Sequence, residues 1–209
     1  IDALERGASR ESKESALRSQ YPELSYSVSS LPTDKTPDGA SVINEYAGRV
    51  WYGGFSGDLE GGDKLSPRMS SYLLFSSLVK AKTDIGKCYQ EADPTSNVDS
   101  NIADSDGGFI KLDGAYNIRR FVSVGGSQFV FAENGVWRIS GTADDNFTAT
   151  AYQTERLTDR GCISSDSVVL AGNDIYYWSN DGIYIVKRDP SGLWVIEDLT
   201  KDKIKTFYL

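Results

Sequence analysis

The sequence predicts an all-β fold made of repeated four-stranded antiparallel sheets. Three observations predict it: a run of short alternating strands separated by turn dipeptides, a second copy of that run further along, and a composition of 20 glycines and 12 tyrosines in 209 residues. Glycine-rich turns between aromatic-rich strands suit such a fold.

The clearest unit is 118–154. Ile118 to Val124 is expected as a first strand, and Gly125-Gly126 as a hairpin turn, because glycine reaches positive φ without strain. Gln128 to Ala132 is the second strand. Glu133-Asn134-Gly135 is the next turn, read as a primed hairpin on its Asn-Gly pair. Val136 to Ser140 is the third strand, with Trp137 and Ile139 on one face because side chains alternate. Ala143 to Asn146 turns again, and Phe147 to Thr154 is expected as the fourth strand.

The unit recurs 47 residues on, the distance from Gly135 to Gly182. Gly125 falls on Gly172, Phe129 on Tyr176, Phe131 on Trp178, Trp137 on Tyr184 and Ile139 on Val186, without a gap. Asp181-Gly182 replaces Asn134-Gly135, and Leu193 to Asp198 follows Pro190-Ser191-Gly192 as the fourth strand. A four-stranded repeat of about 40–50 residues is the sequence form of a propeller blade. The expected fold is therefore a partial β-propeller of four-stranded antiparallel blades, with an N-terminal arm and a long loop insertion.

The remaining segments fill in that plan. Residues 1–20 are polar and helix-friendly, with Ile1, Leu4, Ala8, Ala16 and Leu17 as a thin apolar stripe. Ser25 to Ala40 is a linker holding Pro32, Pro37 and Asp38-Gly39, so 1–41 forms an arm that orders against a neighbouring subunit or stays flexible. The propeller portion is 42–209, with blades at 42–82, 109–156 and 165–199 and an insertion at 83–108. In the first blade Gly48 to Tyr52 is a strand with Val50 and Tyr52 on one face, Tyr72 to Val79 is a second, and Ser56 to Met69 is a loop between them. Phe109 to Leu112 is expected to lead into the central blade. The insertion is expected to project and contact another chain, since its Asp, Ser and Gly content makes no core of its own. Leu199 to Leu209 reads as the lead into a further blade. The chain starts at Ile1 and stops within the apolar run Phe207-Tyr208-Leu209, which leads us to expect a piece of a longer polypeptide.

Composition excludes several chemistries within this chain. There is no histidine, so Ser-His-Asp, Cys-His and His-metal sites are ruled out. A formal net charge of −8 argues against a nucleic-acid surface, which needs a basic stripe. No apolar run approaches a membrane-spanning length. Carboxylate pairs, as in glycoside hydrolysis, remain, but 30 acidic residues make chance pairs easy to find. Ser179-Asn180-Asp181-Gly182 is similar to the Asp-box turn of sialidase propellers, but glycine follows aspartate directly; even a true Asp-box is a structural turn. Asp99, Asp104 and Asp106 beside Gly107-Gly108 offer clustered oxygens to calcium; without EF-hand spacing or a following bidentate glutamate, a solvated acidic turn is the preferred reading. Trp51, Trp137, Trp178 and Tyr184 are expected in the core, with sugar stacking as the alternative. Gly53-Gly54 and Gly61-Gly62 lack the lysine and helix of a phosphate loop. Cys88 and Cys162 are expected as reduced thiols, with one bridge between them as the other option. No catalytic, cofactor-binding or metal residue is assigned.

Several segments resemble the tail nozzle, or tail tubular protein B, family of short-tailed bacteriophages. They are Gly48-Arg49-Val50-Trp51-Tyr52, Asp93-Pro94, Asp106-Gly107-Gly108, Phe131-Ala132-Glu133-Asn134-Gly135-Val136-Trp137, Tyr177-Trp178-Ser179 and Asp181-Gly182-Ile183-Tyr184, in that order over 42–209. The resemblance implies a propeller-containing structural virion protein; the missing residue types lead us to expect no enzymatic role, and no cofactor is expected. It implies a homo-oligomer, a hexamer in that family, which sits below the tail adaptor, carries fibre proteins and extends the channel through which viral DNA passes without sequence-specific binding. The implied location is the virion tail, assembled in the host cytoplasm. A closed ring needs at least about four blades, so the remaining ones are expected elsewhere in a longer chain. The alternative function is a carbohydrate-binding, receptor-binding propeller.

Overall fold

The computed structural model describes residues 40–55, 70–89, 102–142 and 146–201. The expected N-terminal helix and most of the linker, the loop 56–69, Asp99 and the tail beyond 201 lie outside the described residues. No α-helix occurs among the described residues, and the chain is all-β, as expected.

Among the described residues, twelve strands form three four-stranded antiparallel sheets, each a meander. The first contains β1 (Ala40–Tyr46), β2 (Arg49–Phe55), β3 (Tyr72–Phe75) and β4 (Gly108–Lys111). The second contains β5 (Ile118–Val124), β6 (Ser127–Ala132), β7 (Gly135–Ser140) and β8 (Gln153–Thr158). The third contains β9 (Val169–Ala171), β10 (Asp174–Ser179), β11 (Gly182–Arg188) and β12 (Trp194–Asp198).

Local turn chemistry explains several of the hairpins. Val124 pairs with Ser127, which leaves Gly125 and Gly126 as the central residues, at φ 58° and 74°. Positive φ at both positions matches the right-handed twist of the flanking strands. The turn after β6 departs from expectation. Ala132 pairs with Gly135, so the central residues are Glu133 and Asn134, neither at positive φ, and Gly135 opens β7. The Asn134 side chain accepts from the Tyr116 amide at 2.9 Å and donates to the Gly114 carbonyl at 2.6 Å, so it serves a neighbouring loop. The turn before Gly182 repeats this arrangement, with Ser179 paired to Gly182 around Asn180-Asp181.

Three strand assignments need correction. The fourth strand of the second sheet is Gln153–Thr158, not Phe147 to Thr154. Phe147 instead turns inward, where its ring meets Trp51 edge-on at 4.8 Å and Phe75 at 5.1 Å. A large aromatic gains more from a buried pocket than from one place on a half-exposed edge strand. Residues 108–111 close the first sheet by pairing with β3, rather than leading into the second. The first sheet therefore spans 40–111, and the long insertion lies within it. β3 stops at Phe75, short of the expected Val79; the Val50 amide donates to Ser76 Oγ at 3.0 Å, and the Ser76 carbonyl instead accepts from Arg49 Nη1 at 2.8 Å.

The second sheet is buried on both faces along β6 and β7, whereas β8 is largely exposed. Phe121, Val130, Ala132, Trp137 and Ile139 pack toward the first sheet's Val42, Tyr46, Trp51, Leu73, Phe75 and Ile110. Val122, Phe129, Phe131 and Val136 pack toward the third sheet's Ile175, Tyr177, Tyr184 and Val186. This explains why β6 is buried at every position instead of alternating.

Candidate functional site

Two seams between sheets and one locked loop are the features built from convergent side chains. At the first seam, β1 lies against β5. The Asn44 side-chain amide donates to Ser123 Oγ at 2.6 Å and to Gln128 Oε1 at 3.2 Å, while Ser123 Oγ donates to the Glu45 carbonyl at 2.8 Å. At the second seam, the Phe131 and Tyr177 rings lie 5.2 Å apart and Phe129 meets Trp194 edge-on at 4.7 Å. Arg188 stacks over Trp194 and donates to the Gly125 carbonyl at 2.7 Å. The linker between the second and third sheets is strung across the same seam. The Cys162 amide donates to the Ala132 carbonyl and the Ile163 amide to the Trp178 carbonyl, both at 3.0 Å.

The locked loop is centred on Arg49, which is almost fully buried. Nη1 donates to the carbonyl of Ser76 at 2.8 Å, to that of Ser105 at 3.4 Å and to that of Asp106; Nη2 donates to the carbonyl of Asp104. Its guanidinium carbon lies 5.5 Å from the Phe75 ring centre and 5.6 Å from that of Phe147. Burial lowers its pKa from the ordinary value, and the nearby Asp106 and Asp104 carboxylates oppose that shift. Gly107 is required here, because a Cβ at that position would lie 2.0 Å from the Lys87 carbonyl oxygen.

Two of the three residues offered to calcium, Asp104 and Asp106, lie at this loop. The Asp106 carboxylate accepts from the Ala103 amide at 2.9 Å, and the Asp104 carboxylate accepts from the Thr150 hydroxyl. The cation toward which their backbone carbonyls turn is the Arg49 guanidinium. Asp99 lies outside the described residues, and no group of three potential metal-ligating side chains occurs among the described ones.

Described parts of the insertion pack on their own sheet. The Ser77 amide donates to the Lys87 carbonyl, the Leu78 amide to the Ser105 carbonyl, and the Tyr52 hydroxyl to the Ile85 carbonyl. The expectation that all of 83–108 projects is corrected for 83–89 and 102–108. Hydrogen bonds to the sheet substitute for the core this polar segment cannot make.

Trp51, Trp137 and Tyr184 are buried, as expected of core residues, whereas Trp178 is 43 % exposed. Cys88 and Cys162 are both free thiols. Burial pushes the Cys88 thiol up to about 12 and that of Cys162 up to about 11, so neither is a thiolate nucleophile at neutral pH. In the Asp-box-like turn, the Asp181 carboxylate accepts from the Tyr184 hydroxyl at 3.1 Å and pairs with Arg160 at 2.7 Å, which is a structural use.

Sequence reading did not single out Arg49 or the inward turn of Phe147. Arg49 had a faint signal: Val50 and Tyr52 on one face put Arg49 and Trp51 on the other, the buried one. Comparison of the chain with models of known protein families and with curated proteins finds no match.

Proposed function

We propose that this chain is a structural subunit of a short-tailed bacteriophage tail nozzle, and that its three sheets are consecutive blades of a β-propeller. One observation carries the architectural half: along β6 and β7 the second sheet is buried on both faces between two sheets of the same meander topology. Successive propeller blades stack this way. The virion half rests on the order of the family-like segments. Three of them have structural tasks in this chain: the segments of Arg49 and of Asp106-Gly107-Gly108 meet at the locked loop, and Phe131 to Trp137 packs at both seams.

In this reading the protein holds shape and does no chemistry. The net charge of −8 suits a channel wall, since like charge repels DNA and lets it slide. The subunits form a ring below the tail adaptor and present the outer surface to fibre proteins.

Electron microscopy of the parent particle, with an antibody against this chain, tests the reading. Label on the tail below the adaptor is the expected result, and label on the capsid or none on the particle overturns it. A glycan array addresses the carbohydrate-binding alternative, which the exposed Trp178 favours. A nozzle subunit should give no sugar-specific signal, and a defined sugar whose binding is lost in Trp178→Ala would replace the nozzle reading.

A further inference from the structure

The loop that follows β3 is exposed, apolar and held in place. Leu78, Val79 and Ile85 are each more than a third exposed, and Lys80 and Lys82 are exposed beside them. The Leu78 amide donates to the Ser105 carbonyl at 2.8 Å, and the Val79 amide donates to the Gly48 carbonyl at 2.9 Å. Lys82–Gly86 forms a 3-10 turn, which the Tyr52 hydroxyl ties to the sheet by donating to the Ile85 carbonyl at 2.7 Å. A surface ordered before binding loses less entropy when it docks. Single exposed aliphatic side chains are ordinary, but three on one fixed loop offer a partner an apolar anchor.

The same loop is positive within an acidic chain. Its one carboxylate, Asp84, is used internally: it accepts from the Lys80 and Ala81 amides at 3.0 and 2.7 Å and pairs with Lys87 at 3.2 Å. Among the described residues neither Lys80 nor Lys82 has an ion-pair partner. The whole chain carries a formal charge of −8. A long polyanion, such as DNA or an anionic bilayer, would meet the rest of that acidic surface as well. A short acidic segment meets only the loop, because salt screens exposed charges beyond about 8 Å at physiological ionic strength.

The chain contains such a segment. Between Lys87 and Lys111 it carries Glu91, Asp93, Asp99, Asp104 and Asp106 and no lysine or arginine. Asp104 and Asp106 are held at the locked loop. That leaves Glu91, Asp93 and Asp99, interleaved with Ala92, Pro94 and Val98. We propose that loop 78–86 docks on the stretch 90–101 of a second copy of this chain. Lys80 and Lys82 meet its carboxylates, and Leu78, Val79 and Ile85 meet its apolar residues. Within one copy the two lysines are without ion pairs and the three aliphatic side chains stay exposed, so the stretch that covers them comes from outside. The contact goes beyond the nozzle reading and does not rest on it, since label on the particle tests that reading separately.

Sedimentation equilibrium of the purified chain at about 0.05 M and about 0.5 M salt tests the contact. Wild type is expected to self-associate, and more weakly at the higher salt. Lys80→Glu/Lys82→Glu sets like charges against each other and should weaken association at least about tenfold. Both side chains are exposed, so the far-UV spectrum and thermal midpoint should stay those of wild type. Lys80→Gln/Lys82→Gln, which only removes charge, should weaken association less. Glu91→Lys/Asp93→Lys/Asp99→Lys should weaken it as the lysine reversal does. Mixing the two reversed variants should restore association, because each loop then meets a stretch of opposite sign. A wild type that stays monomeric at both salt concentrations throughout its soluble range overturns the proposal. So does an association indifferent to the lysine reversal, or a mixture no more associated than its two components alone.

Discussion

The hydroxyl of Tyr46 donates to the carbonyl oxygen of Gly126 at 2.8 Å, tying the end of β1 to the tip of the β5–β6 hairpin. The Tyr46 ring lies 5.8 Å from Trp51 and 6.2 Å from Phe147, and burial pushes its hydroxyl pKa up to about 12, so it stays a donor at neutral pH. Tyr46→Phe keeps the ring and removes the bond. The expected cost is about 1 kcal/mol, read from the urea unfolding midpoint. An unchanged midpoint would show that this bond adds nothing to the packing and to the Asn44 and Ser123 hydrogen bonds at the same seam.

Arg49 is predicted to be the most sensitive polar position. Arg49→Ala leaves several carbonyls without their donor and a cavity between Phe75 and Phe147. A loss of about 3 kcal/mol or more is expected. Arg49→Lys should recover only part of it, because an ammonium lacks the planar fork that reaches separate carbonyls. Amide hydrogen exchange checks the locus: the Leu78 amide, bonded to the Ser105 carbonyl at 2.8 Å, should lose protection before the β6 amides do.

Trp137→Ala should cost about 3–5 kcal/mol, the usual range for truncating a buried tryptophan. Trp137 is 3 % exposed, and Arg156 stacks over its ring at 5.0 Å. Thermal unfolding of the purified variant is the measurement. A midpoint within about a degree of wild type would rule out the packing role, since even 1 kcal/mol moves a domain of this size by several times that.

Alkaline pH should destabilise the fold through its buried thiols. Cys88 and Cys162 have folded pKa values of about 12 and about 11, both raised by burial above the ordinary 9.0. The sign follows from linkage: the unfolded state loses these protons first, so the contribution is complete below pH 9 and is lost as pH rises through 11 to 12. Urea midpoints should therefore fall above pH 9. Cys88→Ala/Cys162→Ala should flatten that fall, and an equally steep fall in the double variant would assign it to other groups. In the same experiment a disulfide reagent at pH 8 should label the native thiols far more slowly than the unfolded ones.

Glu133 acts at the other end of the scale. Its pKa lies below the ordinary carboxylate value, chiefly through the Asn117 side-chain hydrogen bond and then through Arg119, which it meets at 2.8 Å. A depressed carboxylate adds stability above its unfolded pKa, and that stability is lost as pH falls through the lower folded value. The pair is partly exposed, so the effect should be small and salt-sensitive. Glu133→Gln should shallow the acid limb of the stability profile without shifting the plateau much.

What the sequence by itself determined is what depends on near neighbours. Side-chain alternation and the Gly125-Gly126 pair were enough to place β5, β6 and β7 and to find their 47-residue echo in β10 and β11, because hairpin register is set by residues a few positions apart. Tertiary structure decided whatever depends on partners distant in sequence. Phe147 leaves the strand pattern because Trp51 and Phe75, brought close only by folding, offer it a buried pocket. Gly108–Lys111 joins the first sheet because β3 presents an open edge across a long insertion, and no local signal records which edge a short strand will meet. Asn134 serves Gly114 and Tyr116 instead of the primed turn its dipeptide suggests. Arg49 became a structural centre only when four carbonyls from two segments converged on it. Burying a guanidinium is unfavourable unless such acceptors surround it, and their convergence is a property of the folded chain.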